Sequence, residues 1–376
     1  MADYILKPHS ETKIQDLIDM AFAAGGGRIV LEPGVHQSGT IYLKSNVELH
    51  LEAGAILRGH TSPDLYDDFR DPGFDGCAPE KSRKCLVAAK FAENISITGP
   101  GEIDGCGPAF YDTEHEVGRF WGKPPHPRPR MVQFYKCKNV HLQNTTFKDS
   151  PGWTMWLIEC EDVTIDSIRV IGNQMMINND GIDIDSCRRV AVTNSLFRTG
   201  DDCLILRSIR KYADHHPVCE DVTVSNCVLD SRCQGIRIGC PSDECIRNAT
   251  FTNIAFHGEG NGININNPQR YLSAGDQGRL HLSNLLFSHF VVSTNRVPIW
   301  INVEKGVKLR HIGDITFSDF RITSDNPIRL EGCPETTITD ITLDNIVSQT
   351  PASAPIVTDY VDRLTINNLK TKFQQP

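Results

Sequence analysis

A chain of 376 residues that is 39% hydrophobic can bury a sizeable core, and a formal net charge of -9 with a pI near 5.8 argues against nucleic acid or an anionic membrane as partner. An uncharged or weakly charged substrate fits that balance better. Thirteen cysteines, an odd number without CxxC pairs or a His-Cys zinc spacing, exclude a complete disulfide framework, so reduced structural thiols are expected.

Met1 to Ser10 lacks a charged segment followed by an apolar one, and no apolar run approaches the ~18 residues of a membrane span. The expectation is a cytoplasmic protein. Between Glu11 and Ala24, Ile14, Leu17, Ile18 and Phe22 are spaced as on one helical face, and Gly25-Gly26-Gly27 ends the pattern. Short strands then alternate with turns at Arg28 to Leu31, Gly39 to Leu43, Asn46 to Leu51 and Asn94 to Ile97. Thr61 to Arg83 and Phe110 to Arg130 lack periodicity and are rich in Pro, Gly and charge, which predicts two long loops.

From residue 138 to about 370 the sequence repeats. A polar residue followed by an alternating apolar strand recurs with its first apolar member at Val140, Val163, Val190, Val222, Ala249, Leu285, Ile315, Ile338 and Leu364. A second column runs in step through Met155-Trp156-Leu157, Ile182-Asp183-Ile184, Leu204-Ile205-Leu206, Ile236-Arg237-Ile238, Ile263-Asn264-Ile265, Ile299-Trp300-Ile301 and Ile328-Arg329-Leu330. Side chains alternate across a strand, so each triplet buries two apolar flanks and turns its middle residue outward. The pattern predicts an all-β, single-domain solenoid with a capping helix over 11–24. A leucine-rich repeat is the rival, but its Leu-rich template is missing and β-branched residues dominate.

Neighbouring coils lie about 4.8 Å apart, so equal offsets form columns on the wall. Two residues before the second strand the column reads Asp180, Asp202, Gln234, Asn261, with Asp201 at the adjacent offset. Two carboxylates able to share a water and a third set apart suit inverting hydrolysis, which needs roughly 6.5 to 9.5 Å between base and acid. Asp183 and Asp185 are expected merely to cap turn backbone. Trp156 and Trp300 stand outward, where an aromatic face suits a sugar ring, whereas Trp153 is expected in the core. No histidine falls in metal-ligand spacing, and neither a metal nor a cofactor is expected.

Asn178-Asn179-Asp180-Gly181-Ile182-Asp183 followed by Gly200-Asp201-Asp202-Cys203, with the passage from Arg128-Pro129-Arg130 to Ser150-Pro151-Gly152-Trp153, resembles glycoside hydrolase family 28, the polygalacturonase family. The resemblance covers nearly the whole chain. It implies a right-handed parallel β-helix and hydrolysis with inversion, with Asp201 as general acid, Asp180 and Asp202 activating water, and Asn178 among the substrate-binding residues. Arg207 stands where the family has a lysine near the carboxylates.

Two departures bear on substrate. The family's Gly-His-Gly is Cys233-Gln234-Gly235, and its carboxylate-gripping Arg-Ile-Lys is Asn264-Ile265-Asn266. Either Arg237, one coil from Asn264, supplies the lost charge, or the sugar is neutral and Gln234, Asn264 and Asn266 bind hydroxyls; a neutral or differently linked sugar is preferred. The leading function is an inverting, exo-acting hydrolase of imported oligosaccharides other than plain polygalacturonate. A β-helix lyase, epimerase or fructotransferase and a non-catalytic carbohydrate-binding β-helix are the alternatives. Oligomeric state is not readable from the sequence.

Overall fold

The computed structural model describes residues 2–74, 82–124, 126–210, 215–271, 278, 280–351 and 354–373. The chain forms two compact units, Met1–Asp183 with Cys187–Asp201, and Ile184–Ser186 with Asp202–Pro376. Both are stacks of parallel strands.

In the first unit the helix Ile14–Ala23 buries Ile14, Leu17, Ile18 and Ala21 and packs on the strands Gly27–Leu31 and Ile41–Tyr42. It begins three residues later than the predicted range 11–24. A strand that the sequence reading missed, Asp3–Leu6, pairs in parallel with Gly27–Leu31. Its only buried position is Leu6, so it carries no alternating signature.

The interior ladders follow from the period-two pattern. Ile95, Val140, Val163 and Val190 share one register position, and Ile97, Leu142, Ile165 and Val192 another, all essentially buried. A fully buried side chain of this size contributes about 1.5 to 3 kcal/mol of apolar transfer. A second sheet stacks Val87, Val132 and Met155 in register. The corner is built by asparagines in the left-handed region: Asn46, Asn94 and Asn139 have φ of 63°, 56° and 52°, and each amide donates to the one before it at 2.8 and 2.7 Å. Asn tolerates that backbone better than other non-glycine residues.

The second unit stacks the long strands Val218–Ser231, Cys245–Gly258, His281–Thr294, His311–Ser324, Ile338–Thr350 and Val361–Phe373. Phe251, Phe287 and Phe317 stack at 4.8 and 4.9 Å between centroids, and Phe290 stacks on Phe320 at 4.7 Å. Val222, Ala249, Leu285, Ile315, Ile341 and Leu364 are in register, so Ile341, rather than Ile338, continues the first column. Ile338 lies three residues before the column position, where it pairs with Val361. The second sheet of this unit runs Leu204–Arg207, Gln234–Ile238, Asn261–Asn266, Ile299–Asn302, Ile328–Glu331 and Ile356–Asp359. Its register matches the triplets read from the sequence, with Arg237, Asn264, Trp300 and Arg329 in one row.

Neither predicted loop is structureless. The described part of 61–83 carries the turn Pro63–Leu65 and buries Tyr66, Phe69 and Phe74. Residues 110–130 hold an antiparallel hairpin, Asp112–Val117 with Phe120–Gly122, whose first strand is exposed at every position and so leaves no alternation to read. The twelve described cysteines are all free.

Candidate active site

In the first unit the candidate acids sit on a turn stitched by amide groups. Asp180 is 3% and Asp201 8% exposed, which few carboxylates tolerate without partners. The Asn179 side chain organises the main chain around them: its Oδ1 accepts from the N–H groups of Gly200 (2.8 Å) and Asp201 (3.0 Å), and its Nδ2 donates to Asn173 O at 2.9 Å. Gly200 is required because a Cβ there would meet Met176 O at 2.1 Å. The Asp180 carbonyl accepts from Thr154 N–H at 2.8 Å, which joins the turn to the neighbouring strand. Asn178, half-buried at φ 60°, donates its N–H to Asp201 Oδ2 at 2.9 Å. Thr199 Oγ1 donates to Asp201 O at 2.5 Å.

Trp156 is not a sugar platform. It is 0% exposed, packed against Trp153 (5.0 Å) and Phe74 (5.3 Å), with the buried Arg130 guanidinium 4.7 Å over its ring. The wall position faces away from the interior ladder, but Phe74, folded back from 61–83, covers it. Trp153 is buried as expected. Asp183 and Asp185 lie within the strand Ile182–Asp185, and both are buried.

In the second unit Asp202, 1% exposed, forms an ion pair with Arg237, Nη1 to Oδ2 at 3.1 Å. Burial works against the Arg237 charge, but the Asp202 carboxylate outweighs it and raises the guanidinium above the ordinary arginine pKa. Arg237 Nε also donates to Asn266 Oδ1 at 3.3 Å. Asn264, next in the row, is 2% exposed, and its Oδ1 accepts no hydrogen bond among the described residues. Gln234 accepts from Asn261 Nδ2 through Oε1 at 2.9 Å, and its carbonyl accepts from Cys203 N–H at 2.9 Å. Trp300, half-buried, is held by its Nε1, which donates to Glu331 Oε2 at 2.7 Å. Arg207 is 4% exposed, and its carbonyl accepts from Ser186 N–H at 2.9 Å.

Sequence reasoning missed two contributors. Glu331 fixes Trp300 and also takes the Arg329 guanidinium at 2.7 Å, but a strand-end glutamate gives no sign of such a role. Arg128 was noted only as part of a motif. It is 4% exposed and bonded to Asn178, although Pro-rich surroundings read as open loop.

The family pattern described as Glycosyl hydrolases family 28 matches residues 43–214. An endo-polygalacturonase of Pectobacterium carotovorum subsp. carotovorum is 23% identical over 91% of this chain and 85% of its own length. An exopolygalacturonase of Zea mays is 24% identical over 61% of this chain and 62% of its own. The match to a probable polygalacturonase of Arabidopsis thaliana is 34% identical but covers 31% of this chain and 23% of that one. Two further plant relatives are covered over 49% and 37% of their length, so the chain spans half or less of these three curated relatives. Among solved structures, a hyperthermoactive exopolygalacturonase from Thermotoga maritima superposes with a TM-score of 0.81 at 23% identity, covering 98% of this chain and 91% of that one. The polygalacturonase from Erwinia carotovora ssp. carotovora gives 0.62 at 19% identity over 99% and 94%. The fold is the right-handed parallel β-helix, and the chain resembles the polygalacturonases of glycoside hydrolase family 28, whose pattern its residues 43–214 match.

Proposed function

We propose that this protein is an inverting glycoside hydrolase that removes sugars from the ends of pectic oligosaccharides, and that its site takes a neutral sugar rather than plain galacturonate. Asp201 is the general acid, which protonates the leaving oxygen. Asp180 and Asp202 activate the attacking water.

The observation that carries this reading is the Arg237–Asp202 ion pair. It favours the carboxylate form of Asp202, which a base requires. It also commits the one cation that sequence reasoning offered as a replacement for the family's lost pair, and a galacturonate carboxylate prefers a charged donor. Asn264 fits a hydroxyl instead. A buried amide oxygen without a partner costs about 1 to 3 kcal/mol, and a sugar hydroxyl donating to Oδ1 would offset it. Trp300, held by Glu331, remains suited to stacking on a ring. Exo action is supported by the relatives named exopolygalacturonases.

The test is a panel of pectic, rhamnose-containing and fructan oligosaccharides with product analysis by NMR. Release of a terminal neutral sugar supports the reading. Turnover confined to oligogalacturonates, or an unsaturated product absorbing in the ultraviolet, would remove it.

A further inference from the structure

The Arg128 guanidinium is buried in one of the stretches that the sequence presents as a loop. The two N–H groups of Nη1 are shared among three acceptors, the carbonyls of Pro151 (3.0 Å) and Ile177 (2.9 Å) and the Tyr111 hydroxyl, and Nη2 donates to Asn178 Oδ1 at 3.1 Å. The guanidinium carbon lies 5.2 Å from the centroid of the Tyr111 ring. Tyr111 in turn donates to Pro151 O at 2.9 Å. A buried cation is costly unless its donors are satisfied, so a fork bonded in this way holds its geometry closely. Three segments far apart in sequence meet on one side chain.

The consequence falls on Asp201. Arg128 grips the carbonyl of Ile177 and the side chain of Asn178, and the N–H between those two groups is the one that donates to Asp201 Oδ2 at 2.9 Å. We infer that Arg128 is a positioning residue that acts through the Ile177-Asn178 turn to aim the carboxyl of Asp201 at the leaving oxygen. The inference rests on the reading of Asp201 as general acid. Asn179 fixes the backbone of Asp201, whereas the Arg128 route ends on its carboxyl, so the two contacts divide the work. Lysine cannot replace this fork, because one ammonium nitrogen cannot stand both where Nη1 meets the two carbonyls and where Nη2 meets the Asn178 amide.

A residue that aims the acid matters most when the leaving group needs a proton. The test compares two substrates sharing the terminal sugar that the oligosaccharide panel identifies, one with 2,4-dinitrophenolate as leaving group and one with the next sugar. Arg128→Lys is expected to lose about 10- to 100-fold in kcat on the sugar leaving group and only a few-fold on dinitrophenolate. Asn178→Gly keeps the N–H and tolerates the positive φ but cuts the Nη2 contact, so it should show a smaller loss with the same selectivity even if Arg128→Lys folds poorly. Asp201→Asn is the control. If Asp201→Asn is selective while both other variants lose equally on the two substrates, Arg128 only holds the loop together and the inference is overturned. If Asp201→Asn itself shows no selectivity, or the panel releases no sugar, the acid assignment fails and takes this inference with it.

Discussion

Arg237 and Asp202 meet through Nη1 and Oδ2 at 3.1 Å, with side-chain exposures of 14% and 2%. Removing one partner of such a pair leaves a buried charge alone, at about 3 to 5 kcal/mol. Arg237→Ala should therefore lower thermal stability and reduce kcat on acidic and neutral substrates alike, by about 100-fold or more. Reading the arginine as a substrate clamp predicts instead a loss confined to acidic substrates. Unfolding curves and kcat on the two substrate classes separate these outcomes.

The buried amide oxygen of Asn264 accepts no hydrogen bond among the described residues. Replacing an unsatisfied polar group with an apolar one of similar shape is near neutral or stabilising. Asn264→Leu should leave the melting temperature unchanged or higher while kcat/KM on the neutral substrate falls about 10-fold, the equivalent of one hydrogen bond. A drop in both would show that the amide serves the fold.

Trp156 and Trp300 should behave in opposite ways. Trp156→Ala should destabilise by about 3 to 5 kcal/mol, because it empties a fully buried site between Phe74, Trp153 and Arg130. Trp300→Ala should raise KM with little change in stability. Chemical denaturation and steady-state kinetics on both variants check the pair.

Asp149 is partly buried, and burial raises its carboxyl pKa above the ordinary value of 3.8 despite the hydrogen bond from Asn173 N–H. A raised carboxyl pKa means that the folded state holds the proton longer than the unfolded chain, so the stability it contributes is present below 3.8 and is lost as pH rises through the folded value. Asp149→Asn, which keeps an acceptor and suits the φ of 48° at this position, should raise stability at neutral pH relative to the native chain and converge with it in acid. A gap between the two melting temperatures that does not widen with pH would contradict this.

Much of the fold was legible because a solenoid repeats its physics. Alternation gave the triplets around Arg237, Asn264 and Trp300, and their register follows the rows read from the sequence. Ile338 was misplaced because an additional apolar residue precedes the true column member, Ile341, and spacing alone does not choose between them. The hairpin Asp112–Val117 and the strand Asp3–Leu6 escaped because mostly exposed strands carry no pattern. At the site, residue types announced the carboxylates, whereas partners contributed by loops did not show. Trp156 is covered by Phe74 from 61–83, and Arg128 reaches Asn178 from beyond the hairpin, and neither contact has a periodic signature.

The most direct test of the central claim is the configuration of the first sugar released, followed by proton NMR within the opening minutes of turnover on the active pectic oligosaccharide. The account predicts that the new anomeric centre appears with configuration opposite to the substrate linkage and only later mutarotates. A product that first appears with retained configuration, or with a double bond in the ring, would contradict it.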